Sequence, residues 1–227
     1  KGNGKMRDIQ APSDALKTVQ KSILTELLNR VALSPFAHGF APGKSIITNA
    51  KVHANTAKSI LSIDLLDAFP SVSNKRVFQL LQWYLGSILK LDLPHYNGQQ
   101  REEVYHILTQ LCTRDEQLPQ GAPTSGYLLN LACTHLDRKV FKLVMQAGLA
   151  QVHYSRYADD LTITSSAPIP PEFQQSVLHM ITKSGFRANY NKIEHYHDSQ
   201  KALVICGIRI YQGNLALPRR RLKEYRA

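Results

Sequence analysis

Two adjacent carboxylates, Asp159 and Asp160, stand between two runs rich in β-branched and aromatic residues, Val152–Ala158 and Leu161–Thr164. Runs of that composition read as strands, so the acids fall at the tip of a hairpin. Neighbours on a strand point to opposite faces, whereas at a turn they can reach one point in space. Two like charges held that close raise each other's pKa and neutralise unless a cation lies between them, which makes Mg²⁺, or Mn²⁺ in its place, the expected occupant. Taken alone, an Asp-Asp pair is more often an ordinary solvated turn. A third acid changes the balance: Ser59-Ile60-Leu61-Ser62-Ile63-Asp64 is a buried-strand pattern that ends on a carboxylate. Phosphoryl transfer with two metal ions needs carboxylates from separate strand ends converging on one point. Asp64, Asp159 and Asp160 meet that need.

Blocks elsewhere in the chain extend the pattern. Arg7-Asp8-Ile9-Gln10-Ala11-Pro12, His38-Gly39-Phe40 with Ser45–Ala50, Asp64–Phe69, Gln120-Gly121-Ala122-Pro123-Thr124-Ser125, Tyr157–Asp160 and Asn189-Tyr190-Asn191-Lys192 follow one another along nearly the whole sequence. In order and spacing they resemble the fingers blocks and motifs A to D of RNA-directed DNA polymerases, specifically bacterial reverse transcriptases of the retron and group II intron type. Asn49-Ala50-Lys51-Val52-His53 is similar to the Asn-Ala-x-x-His block of retron enzymes, while Val204-Ile205-Cys206-Gly207 departs from their Val-Thr-Gly.

The resemblance implies roles. Asp64 and Asp159 would hold two Mg²⁺ ions, with the carbonyl of Leu65 as an added ligand and Asp160 in support. Asp67, at the bend before the next helix, is read as a cap. Phe69 would be the steric gate that leaves no room for a ribose 2′-hydroxyl; without the family it could equally be core. Gln120 would lie along the incoming dNTP, although Gln-Gly-x-Pro is also simply a good turn before a helix. Lys192 would protonate the pyrophosphate leaving group, and Lys5 and Arg7 would grip the triphosphate. Outside the family, Lys192 reads as a solvated lysine and His53 as a capped or surface histidine. The implied partners are an RNA template, a DNA or RNA primer, dNTPs and a dedicated structured noncoding RNA.

Composition agrees. With 28 Lys+Arg against 17 Asp+Glu, the 227-residue chain carries a formal charge of +11, which favours polyanions through counterion release. The densest basic run is Arg219-Arg220-Arg221-Leu222-Lys223, with Arg226 soon after. Cys112, Cys133 and Cys206 are odd in number and lack a Cys-x-x-Cys pair, so neither a disulfide framework nor a zinc site is implied, and a reducing cytoplasm fits best. His195-x-His197 has no partners at metal-ligand spacing. No stretch approaches the length of a membrane span and no signal peptide is visible, so a membrane is not among the partners.

The elements that must position these residues follow from periodicity. Helices are expected from Ser13, as cap, to Val31, near 46–56, over Ser73–Leu85 and Arg101–Cys112, from Gln120-Gly121-Ala122-Pro123 to about Ala147, and near 172–184. Besides the motif strands, short strands are expected over Arg187–Tyr190, Ala202–Cys206 and Ile208–Tyr211. The fold class is α+β: fingers and palm of a right-hand polymerase, with an antiparallel palm sheet packed on helices. Partial fingers are placed at 1–57. The palm is placed at 58–214, with finger-associated helices near 73–115, and the start of an otherwise absent thumb at 215–227; both ends read as cut.

Two other readings bear on the same chain. Gly39-Phe40-Ala41-Pro42-Gly43-Lys44-Ser45 ends like a phosphate-cradling P-loop but is one residue short between its glycines and follows no apolar strand. The alternative function is an RNA-binding maturase or defence-system scaffold that uses a polymerase-like fold.

Overall fold

The computed structural model describes residues 9–55, 58–88, 97–197, 203–211 and 213–217. Lys5, Arg7 and the basic run from Arg219 to Arg226 lie outside them. The chain divides into two compact units, one of residues 1–33 and 67–132, the other of 34–66 and 133–227.

The second unit is built on β1 (Ser59–Asp64), β2 (His153–Tyr157), β3 (Asp160–Ser165) and β4 (Glu194–His197), all antiparallel in the order β2-β3-β1-β4. β1 is central because its Ile-Leu-Ser-Ile run can be buried on both faces, which only a strand with two neighbours satisfies. Its register against β3 pairs Asp64 with Asp160, Ile63 with Leu161, Ser62 with Thr162 and Leu61 with Ile163. Alternation then sorts the side chains. Leu61, Ile63, Leu161 and Ile163 share one buried face, whereas Ser62, Asp64, Asp160 and Thr162 share the other. A single-residue slip would put both acids among the leucines.

Three helices belong wholly or partly to this unit. α2 (Ile46–Val52) starts at a capping box between Ser45 and Thr48. α5 (Ser125–Gln146) buries Leu136, Val140 and Val144 at helical spacing, and α6 (Pro171–Lys183) opens on proline and buries Phe173, Val177 and Ile181. A smaller antiparallel sheet, β5 (Leu203–Ile205), β6 (Ile208–Tyr211) and β7 (Asn214–Ala216), buries Leu203, Ile205, Ile208 and Ile210 with Ala50 and Ile60.

The other unit is helical. α1 (Asp14–Ser22), capped by Ser13, continues through a π-helical turn to Leu27 and a 3-10 turn to Arg30. α3 (Asn74–Leu81) starts at Ser73 and continues as π-helix to Ile88, and α4 (Gly98–Cys112) starts at an Asn97 capping box. Gln20 Nε2 donates to Leu111 O (2.8 Å), joining α1 to α4, and the Phe78 ring stacks on His106 (4.4 Å), joining α3 to α4.

Four expectations need correction. α5 begins at Ser125 rather than at Gln120: Gly121 has φ +126°, a conformation no helix admits, and Gln10 N donates to Gln120 O (2.9 Å), so residues 120–124 run as a loop against residues 9–10. Residues 187–190 form no strand; Leu65 bridges Ala188 alone, and the strand comes later as the polar edge strand β4, which has no apolar alternation to betray it. Asp67 caps no helix, since Ser73 does so; it sits at φ +48° with its carbonyl accepting from Ser71 N and Oγ (2.9 and 2.8 Å). His53 stands at the C-cap of α2, as one of the two expectations for it had it, but it is fully buried rather than at the surface.

Candidate active site

Asp64 ends β1 and Asp160 begins β3, and their pairing puts the two carboxylates side by side on one face. Asp159 occupies the two-residue turn Ala158-Asp159 that closes the β2–β3 hairpin, and its carbonyl accepts from Leu65 N (2.9 Å), which ties the turn to the end of β1. Three acids from sequence positions nearly a hundred residues apart therefore meet, and Leu65 lies beside them. Asp64 is 7 % exposed. Asn189 N donates to its carbonyl (2.8 Å) and Asn189 Nδ2 to its Oδ1 (2.9 Å). Lys192, on a 3-10 turn (Tyr190–Lys192), places Nζ 3.0 Å from both Asp64 oxygens.

Burial first, then the negative charges of Asp159 and Asp64, push the Asp160 carboxyl up to about 7, while the Lys192 ammonium pulls the other way. A cavity of about 500 Å³ opens over this face, floored by Ser62, Asp64, Asp160 and Thr162 and bounded by Lys192, Glu194 and Cys206. Burial, followed by the nearby Asp160 charge, pushes the Cys206 thiol up to about 12, so, without a cation beside it, it adds no charge to this face. The charged oxygen donors on this face are carboxylates, whose mutual repulsion a hard divalent cation would relieve; among the described residues they do not stand as a preformed metal cluster, and Lys192 rests on Asp64.

The remaining predicted residues fall elsewhere. Phe69 and Gln120 belong to the helical unit, Phe69 at the edge of burial at 9 % and Gln120 half-buried beside Gly121. Both nitrogens of His195 are engaged, Nδ1 with Gln174 Oε1 (2.6 Å) and Nε2 with Ile169 O (2.9 Å), and His197 Nδ1 meets Ser59 Oγ (2.6 Å).

His53 turns out to bridge the hairpin that carries the acids, with Nδ1 at 2.7 Å from Thr164 Oγ1 on β3 and Nε2 at 2.7 Å from Ser155 Oγ on β2. Burial, then the neighbouring His153 and His38, lowers its pKa to about 3. The unfolded ring takes up a proton near 6.5, so between pH 6.5 and 3 the unfolded chain binds more protons, and stability present above pH 6.5 is lost as pH falls. This group alone makes the slope up to about 1.4 kcal/mol per pH unit. Urea unfolding at pH 7 and pH 5 should show His53→Gln less pH-sensitive than the wild type by about that slope; an unchanged difference would refute the assignment.

Sequence reasoning passed over two contributors, Asn189 as a partner of Asp64 and the charged pair Asp137 and Arg156. The available signal for the pair was a lone acid within the apolar run of α5 and a lone arginine within the strand before the acids.

The second unit is thus an antiparallel sheet backed by helices, with acids at the facing ends of its two central strands. The chain belongs to the reverse transcriptase (RNA-dependent DNA polymerase) family, which it matches over residues 1–210. It is 34% identical to the retron Ec86 reverse transcriptase of Escherichia coli, over 98% of this chain and 64% of that protein, and 33% identical to the retron Mx162 reverse transcriptase of Myxococcus xanthus, over 85% and 42%. The chain thus spans less than two thirds of the length of these relatives. Its fold is similar to that of apo telomerase from Candida tropicalis truncated from its C-terminal domain, at TM-score 0.54 and 12% identity, covering 90% of this chain and 44% of that one. Telomerase from Candida albicans in complex with a telomeric RNA fragment gives TM-score 0.54 at 10% identity, covering 90% and 37%. Among the described residues no helix is long and apolar enough to cross a membrane.

Proposed function

We propose that this chain performs RNA-directed DNA synthesis by template-directed nucleotidyl transfer, with Asp64, Asp159 and Asp160 holding two Mg²⁺ ions. The observation that carries the reading is the Asp64–Asp160 register with the Asp159 turn bonded to Leu65. When bound, the ions would lower the pKa of the attacking hydroxyl and offset charge on the leaving pyrophosphate. The three carboxylates orient that chemistry, and the Leu65 carbonyl adds a neutral oxygen. Lys192, its ammonium already poised on Asp64, supplies the proton for the pyrophosphate. Phe69 excludes ribonucleotides, Gln120 lines the nucleotide, and Lys5 and Arg7 neutralise the triphosphate. The assignment of fingers to 1–57, palm to 58–214 and the start of a thumb to 215–227 is part of the same proposal.

The template is RNA. The nucleophile is a 3′-hydroxyl or, in keeping with the likeness to retron enzymes, a 2′-hydroxyl of a structured noncoding RNA. Extension of a primed RNA template with dNTPs, with and without Mg²⁺, tests the reading. RNA binding without metal-dependent extension would favour the scaffold alternative instead. Phe69→Ala should raise ribonucleotide incorporation relative to deoxynucleotide by about tenfold or more, because removing the ring opens the space a 2′-hydroxyl needs. Unchanged sugar discrimination in competition assays would remove Phe69 from that role.

A further inference from the structure

Arg156 is the largest fully buried side chain among the described residues, and it is a charge. Its guanidinium forms a fork onto Asp137 of α5, Nε to Oδ1 at 2.8 Å and Nη2 to Oδ2 at 2.9 Å. The third arm, Nη1, donates to the carbonyl of Ala158 at 2.7 Å. Asp137 is as fully buried and takes one more bond, from Tyr154 Oη at 2.7 Å. Ala158 is the first residue of the turn that carries Asp159, and it sits at φ +56°, a conformation an alanine adopts only under constraint.

The far side of the turn is held as well. Arg156 N donates to Phe36 O and His38 N to Arg156 O, both at 2.8 Å, and Gly39 comes so close that a Cβ there would lie 2.6 Å from Ala158 N. A buried ion pair is a poor route to stability, since apolar residues of the same volume usually serve as well. Apolar residues could not, however, bond a turn carbonyl. Only a planar fork reaches a carboxylate with two donors and a carbonyl with a third.

We propose that Arg156, aligned by Asp137 and Tyr154, is a positioning residue that clamps the Ala158-Asp159 turn with Ala158 in its left-handed conformation, so that Asp159 and Asp160 stay aimed at Asp64. The inference rests on the polymerase reading above, because it supplies the reason for holding these carboxylates still. Outer partners of metal-binding groups typically change metal affinity or activity 10- to 100-fold when removed.

The test replaces the buried set with apolar groups of similar volume in the full chain: Tyr154→Phe, Asp137→Leu and Arg156→Met together. A second variant, Arg156→Lys, keeps the charge but loses the planar fork that reaches carboxylate and carbonyl from separate nitrogens. The expected result is cooperative unfolding near the wild-type temperature, with kcat for dNTP addition lowered by roughly 10- to 100-fold. KM for dNTP should stay within about twofold, and Mn²⁺ affinity, read by electron paramagnetic resonance without substrate, should weaken by about tenfold. If the triple variant does not fold, Arg156→Lys carries the test with the same readouts. A folded variant of either kind with wild-type kcat and Mn²⁺ affinity overturns the clamp. A wild-type protein that neither binds Mn²⁺ nor extends a primer would overturn the polymerase reading itself, a separate outcome visible before any variant is made.

Discussion

Asp159→Asn is expected to lower dNTP incorporation by about 10³-fold or more while leaving RNA binding within about twofold. The amide has the shape of the carboxylate, so the two-residue turn and its bond to Leu65 N, which uses the backbone carbonyl, survive. What is lost is a negative charge at the point where the β2–β3 hairpin meets the end of β1. Stabilisation of developing charge by a fixed electrostatic partner is commonly the largest single contribution to catalysis, and loss of one such group costs about 10² to 10³ in rate. Losing a carboxylate that would hold metal should cost at least that much. Primer extension under single-turnover conditions, paired with filter binding to the same RNA, separates the two effects. Full extension by the variant would refute the assignment of Asp159 to metal.

Asp160→Asn should have the opposite effect on stability from its effect on activity. In the metal-free protein the Asp160 carboxyl titrates near 7, raised by burial and then by Asp159 and Asp64, against 3.8 when unfolded. Between those values the folded chain binds more protons than the unfolded one, so stability is greatest below pH 3.8 in this respect and falls as pH rises through 7. The three-unit gap corresponds to roughly 4 kcal/mol at pH 8 for this group alone. An uncharged amide removes that penalty, and the metal-free variant should melt several degrees above the wild type at pH 8 and lose most of that advantage by pH 5. Mg²⁺ should raise the wild-type melting temperature more than the variant's. A variant that melts at or below the wild type at pH 8 would show that charge crowding at this site is not what the geometry implies. Stability traded for a charged, partly buried cluster is the usual cost of a functional site.

Much of this was legible in the linear chain because the strongest signals are local. The β-branched runs on either side of Asp159-Asp160 become β2 and β3, and the Ile-Leu-Ser-Ile run before Asp64 becomes a strand buried on both faces. Ser13 was readable as a cap because the competition for helix N–H groups is settled within four residues. Where local preference is weak, tertiary contacts decide. β4, with Glu-His-Tyr-His and no apolar alternation, is a strand only because β1 offers it an open edge from Ser59 to Ser62. His53 looked like a surface histidine because nothing near it in the sequence shows that Thr164 and Ser155 would close around its ring.

The sequence by itself determined the family, the α+β class and the identity of the three acids, since strand periodicity, turn chemistry and motif order are properties of neighbouring residues. Tertiary structure alone decided that Asp64 and Asp160 share a face, that Lys192 and Asn189 reach the Asp64 carboxylate, and that Arg156 spends its third arm on the Ala158 carbonyl. Each of these depends on the register between strands or on side chains from distant segments arriving at one place. Register is set by burying Leu61, Ile63, Leu161 and Ile163 together, a choice made only when the whole sheet forms.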